Sequence, residues 1–296
     1  AGPALAGTLA VPENYTPERT WPVIVSYQDN PSPQLSAKAG YFLVHAGGHG
    51  TRATDKTRDD LRALAKKYNI DPFRIYGTGF SRGGHELLAQ TWQHPHWFAA
   101  IAPVCNDLRE KPDRKPPEGV PEKYQRVQFL RQTPTLLLHG DHDSFRKTGR
   151  LLFDLMTRHK CPVQWQSYKG GHSPAVPFKQ DLSLLTDFFG KHRLDPFPKR
   201  IVHFVEHKRY SRAFWVDCEL VADKAGVVGQ FEVGLKIEPE WGDRGLGRNL
   251  LTVKANEHVA KLILHTNRLP RGPGPLIAVM PTADGSERIL YKGDFK

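Results

Sequence analysis

The pentapeptide Gly79-Phe80-Ser81-Arg82-Gly83 sets a serine between two glycines, just after an apolar run around Ile75 and just before a helical pattern from Gly83 to Trp92. A strand, a tight turn and a helix in that order let a strained backbone project Ser81 Oγ at the helix N-terminus. The N–H of Arg82 would then face a developing oxyanion. A serine hydroxyl attacks a carbonyl only when a base takes its proton, and that base must be oriented by a third group. Two later segments offer both. Asp143 follows the apolar run Thr135 to His139, within His139-Gly140-Asp141-His142-Asp143, and His172 follows the next run, on Gly170-Gly171-His172-Ser173. Carboxylate and imidazole leaving the carboxyl ends of sheet strands reach the edge where Ser81 stands, so the spacing predicts a nucleophile, base and acid for acyl transfer.

Other residues compete for these roles. Asp141 is an alternative acid, and His139, His142 and His85 are rivals of His172 that read more simply as hydrogen-bonded structural histidines. His139, Asp141, His142 and Asp143 also stand at short offsets of the kind zinc or iron ligands use. A metal there would leave the serine turn without a role, so no metal and no cofactor is expected. Cys105, at a strand end, reads as a buried small hydrophobe. Trp92, Trp97 and Trp165 suit either a substrate groove or the core.

The elements that must position these groups alternate between short apolar runs and helical patterns from Trp21 to about His192, as in βαβ units with a mostly parallel sheet. The expected strands are Val23 to Tyr27, Tyr41 to His45, Arg74 to Gly77, Phe98 to Val104, Thr135 to His139 and Val163 to Ser167, each read as buried on both faces. Leu61, Leu64, Ala65 and Tyr68 fall at helical spacing and predict an apolar stripe. Asn106 to Glu122 carries four prolines among many charges and reads as a surface loop, with no bulky apolar lid. Prolines at Pro196 and Pro198 mark a boundary. Beyond it Phe231, Val233, Leu235 and Ile237, then Leu251, Val253 and Ala255, alternate with polar residues or glycine, and with Ile201 to Val205, Ala213 to Leu220, Val259 to His265 and Leu276 to Met280 they predict a small antiparallel sandwich. Domains are therefore expected at 1–197, α/β and catalytic, and 198–296, all-β.

The order Ser81, Asp143, His172, with the stretch Tyr68-Asn69-Ile70-Asp71-Pro72-Phe73-Arg74-Ile75-Tyr76 leading into Gly79-Phe80-Ser81-Arg82-Gly83-Gly84, resembles the α/β-hydrolase superfamily over about two thirds of the chain. Within it the segment is similar to the polyhydroxybutyrate-depolymerase, feruloyl-esterase and prolyl-oligopeptidase-like group. Arg209-Tyr210-Ser211-Arg212-Ala213-Phe214-Trp215-Val216 looks, more loosely, like the accessory β-domain of some of these esterases. The resemblance implies a serine carboxylic-ester hydrolase, and the lack of a bulky lid suggests an open site for aryl, acylated-polysaccharide or polyester substrates. It selects Asp143 over Asp141, since the family acid stands four residues after the His of His-Gly. The second oxyanion donor departs from the family: Gln28-Asp29-Asn30 replaces the usual His-Gly, and Asn30 is favoured with Gln28 as the alternative. The competing readings are a prolyl-oligopeptidase-like serine peptidase and a non-catalytic polysaccharide-binding protein.

Composition sets the outer bounds. The 296 residues are 39% hydrophobic and 25% charged, which excludes a fibrous or disordered chain, and no apolar run is long enough to span a bilayer. The net charge of +11 raises nucleic acid as a partner, but it divides as +7 before Pro198 and +4 from there on, without a basic run or nucleic-acid motif. A solvated surface with at most a weak pull on polyanions explains it, and an ester substrate rather than nucleic acid is the expected partner. Three scattered cysteines form no disulfide framework. The chain begins at Ala1 with no charged-then-apolar leader, which reads as a mature secreted or periplasmic chain.

Overall fold

A computed structural model describes residues 7–47, 50–106, 126–224, 227–241, 246–266, 269, 275–281 and 287–293. The expected loop beyond Asn106 lies outside the described residues. The chain divides, among the described residues, into two compact units, one up to Asp195 and one from Pro196 onward. Among the described residues no helix is long and apolar enough to cross a membrane.

The first unit is built on a seven-stranded sheet. Its strands are β1 (Thr8–Ala10), β2 (Trp21–Tyr27), β3 (Phe42–Ala46), β4 (Ile70–Phe80), β5 (Ala100–Val104), β6 (Thr135–Gly140) and β7 (Val163–Tyr168), in the order β1-β3-β2-β4-β5-β6-β7. All neighbours are parallel except β1, which runs antiparallel to β3. Strands β2, β5 and β6 are buried at every residue, as central parallel strands with helices on both faces must be. Strand β7 is not: it forms the sheet edge and most of Val163–Tyr168 is half-buried or exposed, which corrects the expectation of two-sided burial.

The flanking helices are α1 (Pro33–Lys38), α2 (Thr51–Lys67), α3 (Arg82–Gln93), α4 (Arg146–Arg158) and α5 (Ser183–Phe189). Helix α3 packs on β2, β4 and β5, and α4 packs on β6 and β7. Helix α2 buries Ala53, Thr54, Thr57 and Leu64, while Ala65 is exposed. Leu64 is buried and Leu61 and Tyr68 are half-buried, so the expected stripe holds except at Ala65, and two buried threonines extend the inward face toward the helix start. One is held there by its hydroxyl: Thr54 Oγ1 donates to Gln90 Oε1 at 2.7 Å.

Among its described residues the second unit has eight strands in two sheets: β8 (Arg200–Val205), β9 (Arg212–Ala213), β10 (Val216–Leu220), β11 (Gly229–Trp241), β12 (Leu246–Ala255), β13 (Val259–Leu264), β14 (Leu276–Pro281) and β15 (Glu287–Gly293). They form a three-stranded sheet, β13-β10-β9, and a five-stranded sheet, β15-β14-β12-β11-β8. The period-two pattern places Phe231, Val233 and Leu235 in the core, with Val253 and Leu251 opposite Val233 and Leu235. Two expectations change. The expected single strand Ala213 to Leu220 is broken by a tight turn at Phe214-Trp215, with Phe214 at φ 55°, so that only Val216–Leu220 continues as β10, and β12 pairs with β14 in parallel because β13 leaves for the other sheet. Lys199, Arg200, Lys236 and Lys254 line one groove of this unit with Glu232, so part of its excess charge is a surface feature.

Candidate active site

Strand β4 ends at Phe80 and helix α3 begins at Arg82, so the chain reverses on Ser81 alone. Ser81 takes φ 48° and ψ −111°, a left-handed conformation that costs a non-glycine residue on the order of 1–3 kcal/mol. The turn is pinned from three sides. Ser81 N–H donates to the Val104 carbonyl at 2.8 Å, and the Ser81 carbonyl accepts from His85 N–H at 3.2 Å and from Asn106 Nδ2 at 3.3 Å. Both flanking glycines are required by close approach: a Cβ on Gly79 would stand 2.5 Å from the carbonyl carbon and oxygen of Gly83, and one on Gly83 would stand 2.9 Å from the carbonyl carbon of Tyr27. Arg82 occupies the first helical position, where the N–H has no intrahelical partner.

Ser81, His172 and Asp143 stand in one hydrogen-bonded line. Ser81 Oγ is 3.0 Å from His172 Nε2, and His172 Nδ1 is 3.0 Å from Asp143 Oδ1. The rings of Phe80 and Phe145 flank the imidazole, with centroids 4.8 and 4.6 Å away, so His172 is 28% exposed while the Asp143 side chain is fully buried. Burial alone would raise the Asp143 pKa. Hydrogen bonds from the Phe145 N–H, the Cys105 thiol, His172 and His139 outweigh it and hold the carboxyl below its ordinary value.

The rival residues stand elsewhere. Asp141 accepts the Gly170 N–H at 2.8 Å and so ties the loop before His172 to the end of β6. His142 is 85% exposed, so the His139, Asp141, His142, Asp143 set does not converge as ligands would. Cys105 Sγ, Asp143 and His172 do offer atoms within 4.8 Å of one another, but burial pushes the Cys105 thiol up to about 12, far from the thiolate a metal or nucleophilic role needs. Trp165 stacks on His139, and Trp97 stacks on His94. Trp92 is buried with Arg126 over its ring.

One support carries no readable sequence signal, and a second, on the loop already singled out for the oxyanion donor, takes a conformation that sequence does not record. Tyr168 Oη donates to the Ser173 carbonyl at 2.6 Å and lies 2.9 Å from Cys105 Sγ, bracing the His172 loop from beneath. On the loop after β2, Gln28 takes φ 66°, and its Cβ is 3.3 Å from where a Gly83 Cβ would be. Asn30 turns aside: its Oδ1 meets His45 Nδ1 at 2.9 Å and its carbonyl accepts from Lys179 Nζ at 2.9 Å.

This architecture has known counterparts. A protein from Bacteroides ovatus described as a dipeptidyl aminopeptidase IV superposes with TM-score 0.50 at 16% identity, over 62% of this chain and 33% of its own. The first unit has the α/β-hydrolase fold. A thermophilic esterase of Thermogutta terrifontis is also similar, with TM-score 0.48 and 17% identity over 62% of this chain and 87% of its own. In sequence, 88 residues are 33% identical to a curated protein described as an esterase, NocK of Nocardia uniformis subsp. tsuyamanensis. That match spans 30% of this chain and 21% of NocK. No family model matches the chain. On this α/β-hydrolase scaffold the triad candidates come from the carboxyl ends of β4, β6 and β7, the edge where open parallel sheets bind ligands.

Proposed function

We propose that the chain is a serine hydrolase of carboxylic esters, with Ser81 as nucleophile, His172 as general base then acid, and Asp143 as the group that orients the imidazole. The observation that carries this reading is the pair of 3.0 Å contacts joining Ser81 Oγ, His172 and the Asp143 carboxylate. Ser81 Oγ attacks the acyl carbon as its proton passes to His172 Nε2, and the proton is returned to the leaving alkoxide. Water then repeats the sequence on the acyl-enzyme. The N–H of Arg82 stabilises the oxyanion. The second donor is assigned to Gln28 in preference to Asn30, because Gln28 lies against the first turn of α3. An aryl, acylated-polysaccharide or polyester substrate is the favoured class, and a secreted or periplasmic location accompanies it.

The same three residues would serve a peptidase, and the relevant contrast is chemical. Paired assays on p-nitrophenyl esters and aminoacyl p-nitroanilides decide it: ester turnover at least tenfold above amide turnover supports the reading, and preferred amide turnover overturns it in favour of a peptidase. Ser81→Ala lowers turnover by roughly three or more orders of magnitude. Loss of less than tenfold removes Ser81 from the mechanism.

A further inference from the structure

His139 plays no part in the proton transfers above, yet its surroundings do not suit a neutral imidazole. The side chain is fully buried and stacked on Trp165, with centroids 4.7 Å apart and planes within 9°. Its Nδ1 is 2.9 Å from Asp143 Oδ2, and its Nε2 is 3.0 Å from the backbone carbonyl oxygen of Asn106. Both facing atoms accept hydrogen bonds, while a neutral imidazole has one N–H to give. If that proton is on Nδ1, the Nε2 lone pair opposes the Asn106 oxygen in a buried place, where an unmade hydrogen bond is most costly. If it is on Nε2, the bare Nδ1 opposes a carboxylate unless that carboxylate is itself protonated. Either escape adds the same proton.

We propose that His139 Nε2 carries a proton donated to the Asn106 carbonyl, so that the His139–Asp143 pair holds one proton more than a neutral imidazole and a carboxylate. This deepens the hydrolase reading and rests on it for the role of Asp143. His139 is a positioning residue: it clamps Oδ2 and leaves Oδ1 aimed at His172. It also joins the acid to the nucleophile turn, because the Asn106 whose carbonyl it holds donates through Nδ2 to the Ser81 carbonyl. The extra proton offsets the carboxylate's charge as felt by His172.

The other groups facing the pair come from every element around it. Arg146 of α4 opposes a cationic ring, and Arg150 of α4 stacks over the far ring, Trp165, at 4.5 Å. Cys105 at the end of β5 stays a thiol, Tyr168 of β7 stays a phenol because burial raises its pKa, and His172 lies on the far side of Asp143. Burial pushes the His139 pKa down against the pull of Asp143, so the extra proton is one that leaves as pH rises.

The test needs no turnover. In protein labelled with 15N-histidine, a one-bond N–H correlation at His139 Nε2 is expected at the acidic end of the range between about pH 5 and 8. It is assigned by its contacts to the Trp165 ring and by its loss in His139→Asn. A bare Nε2 throughout that range overturns the proposal. A second readout uses catalysis: in His139→Asn the charge of Asp143 is no longer offset, so the acidic limb of kcat/KM moves to higher pH. A folded variant whose limb does not move also overturns it, since mere packing would leave the limb in place. Failure of Ser81 to react with acylating reagents would sink the hydrolase reading while leaving the Nε2 proton measurable.

Discussion

Replacing Gly79 with alanine tests whether the serine turn is held by backbone contact. The new Cβ would stand 2.5 Å from the carbonyl carbon and oxygen of Gly83, where ordinary contacts begin at 3.4 Å. The atoms in the way are backbone of the first turn of α3, so no rotamer relieves the clash, and strand and helix must part by about 0.9 Å. Overpacking of this kind costs about 1–3 kcal/mol, which lowers Tm by roughly 2–12 °C for a unit of this size. The same shift carries Ser81 away from His172, and a misplacement near 1 Å reduces kcat about a hundredfold. Gly79→Ala is therefore expected to lose on the order of a hundredfold in kcat on a p-nitrophenyl ester, measured at a temperature where thermal unfolding shows the chain folded. Gly234→Ala is the control, because nothing lies within 4 Å of its added Cβ, and it should change neither quantity. A Gly79→Ala protein within threefold of wild-type kcat would refute the assignment of the turn's rigidity to this contact.

Asp71 is buried and accepts from Arg74 Nε at 2.8 Å, Arg193 Nη1 at 2.7 Å and the Phe73 N–H at 3.0 Å. Burial raises its pKa, but these bonds prevail and leave it below the ordinary 3.8, so its stabilisation is present above that value and is lost as pH falls through the folded one. Asp71→Asn should cost about 1–3 kcal/mol in urea unfolding at neutral pH, and the difference from wild type should shrink in acid; a constant difference would argue against the ionised partner. The three thiols are buried and free, with pKa values pushed up to about 12 for Cys105 and Cys161 and about 11 for Cys218. A thiol reagent at neutral pH should find none in the native protein and three after unfolding. Tyr168→Phe removes the hydroxyl under the His172 loop and is expected to cost about 1–2 kcal/mol together with part of kcat; unchanged stability and rate would show that the loop needs no such brace.

The sequence made the serine turn legible because its physical demands fall on residue type: glycines where backbones touch, and a serine where the strand stops. The alternating residues of β11 and β12 were equally direct, since a half-wet sheet leaves a period of two. Strand β1 was not readable, having three residues and a register shift against β3. Val163 to Ser167 has the short apolar look of a buried strand, although its alternating glutamines are those of an edge. The parallel β12–β14 pair depends on β13 joining another sheet, which no local pattern records. At the site, Asp141 and Asp143 are both carboxylates two positions apart: residue type alone does not separate them, the family spacing favours Asp143, and the course of the chain after β6 makes Asp141 a loop tie. The positive φ of Gln28 and the two acceptors around His139 are products of tertiary packing.

The central claim is that Ser81 is a nucleophile activated by His172. Intact-protein and peptide mass spectrometry after treatment with a fluorophosphonate measures it without reference to any substrate. The account predicts a single covalent adduct on Ser81 in the native chain, abolished by Ser81→Ala and strongly slowed by His172→Ala. An unmodified Ser81 in protein that still hydrolyses esters, or an adduct formed equally well without His172, would contradict it.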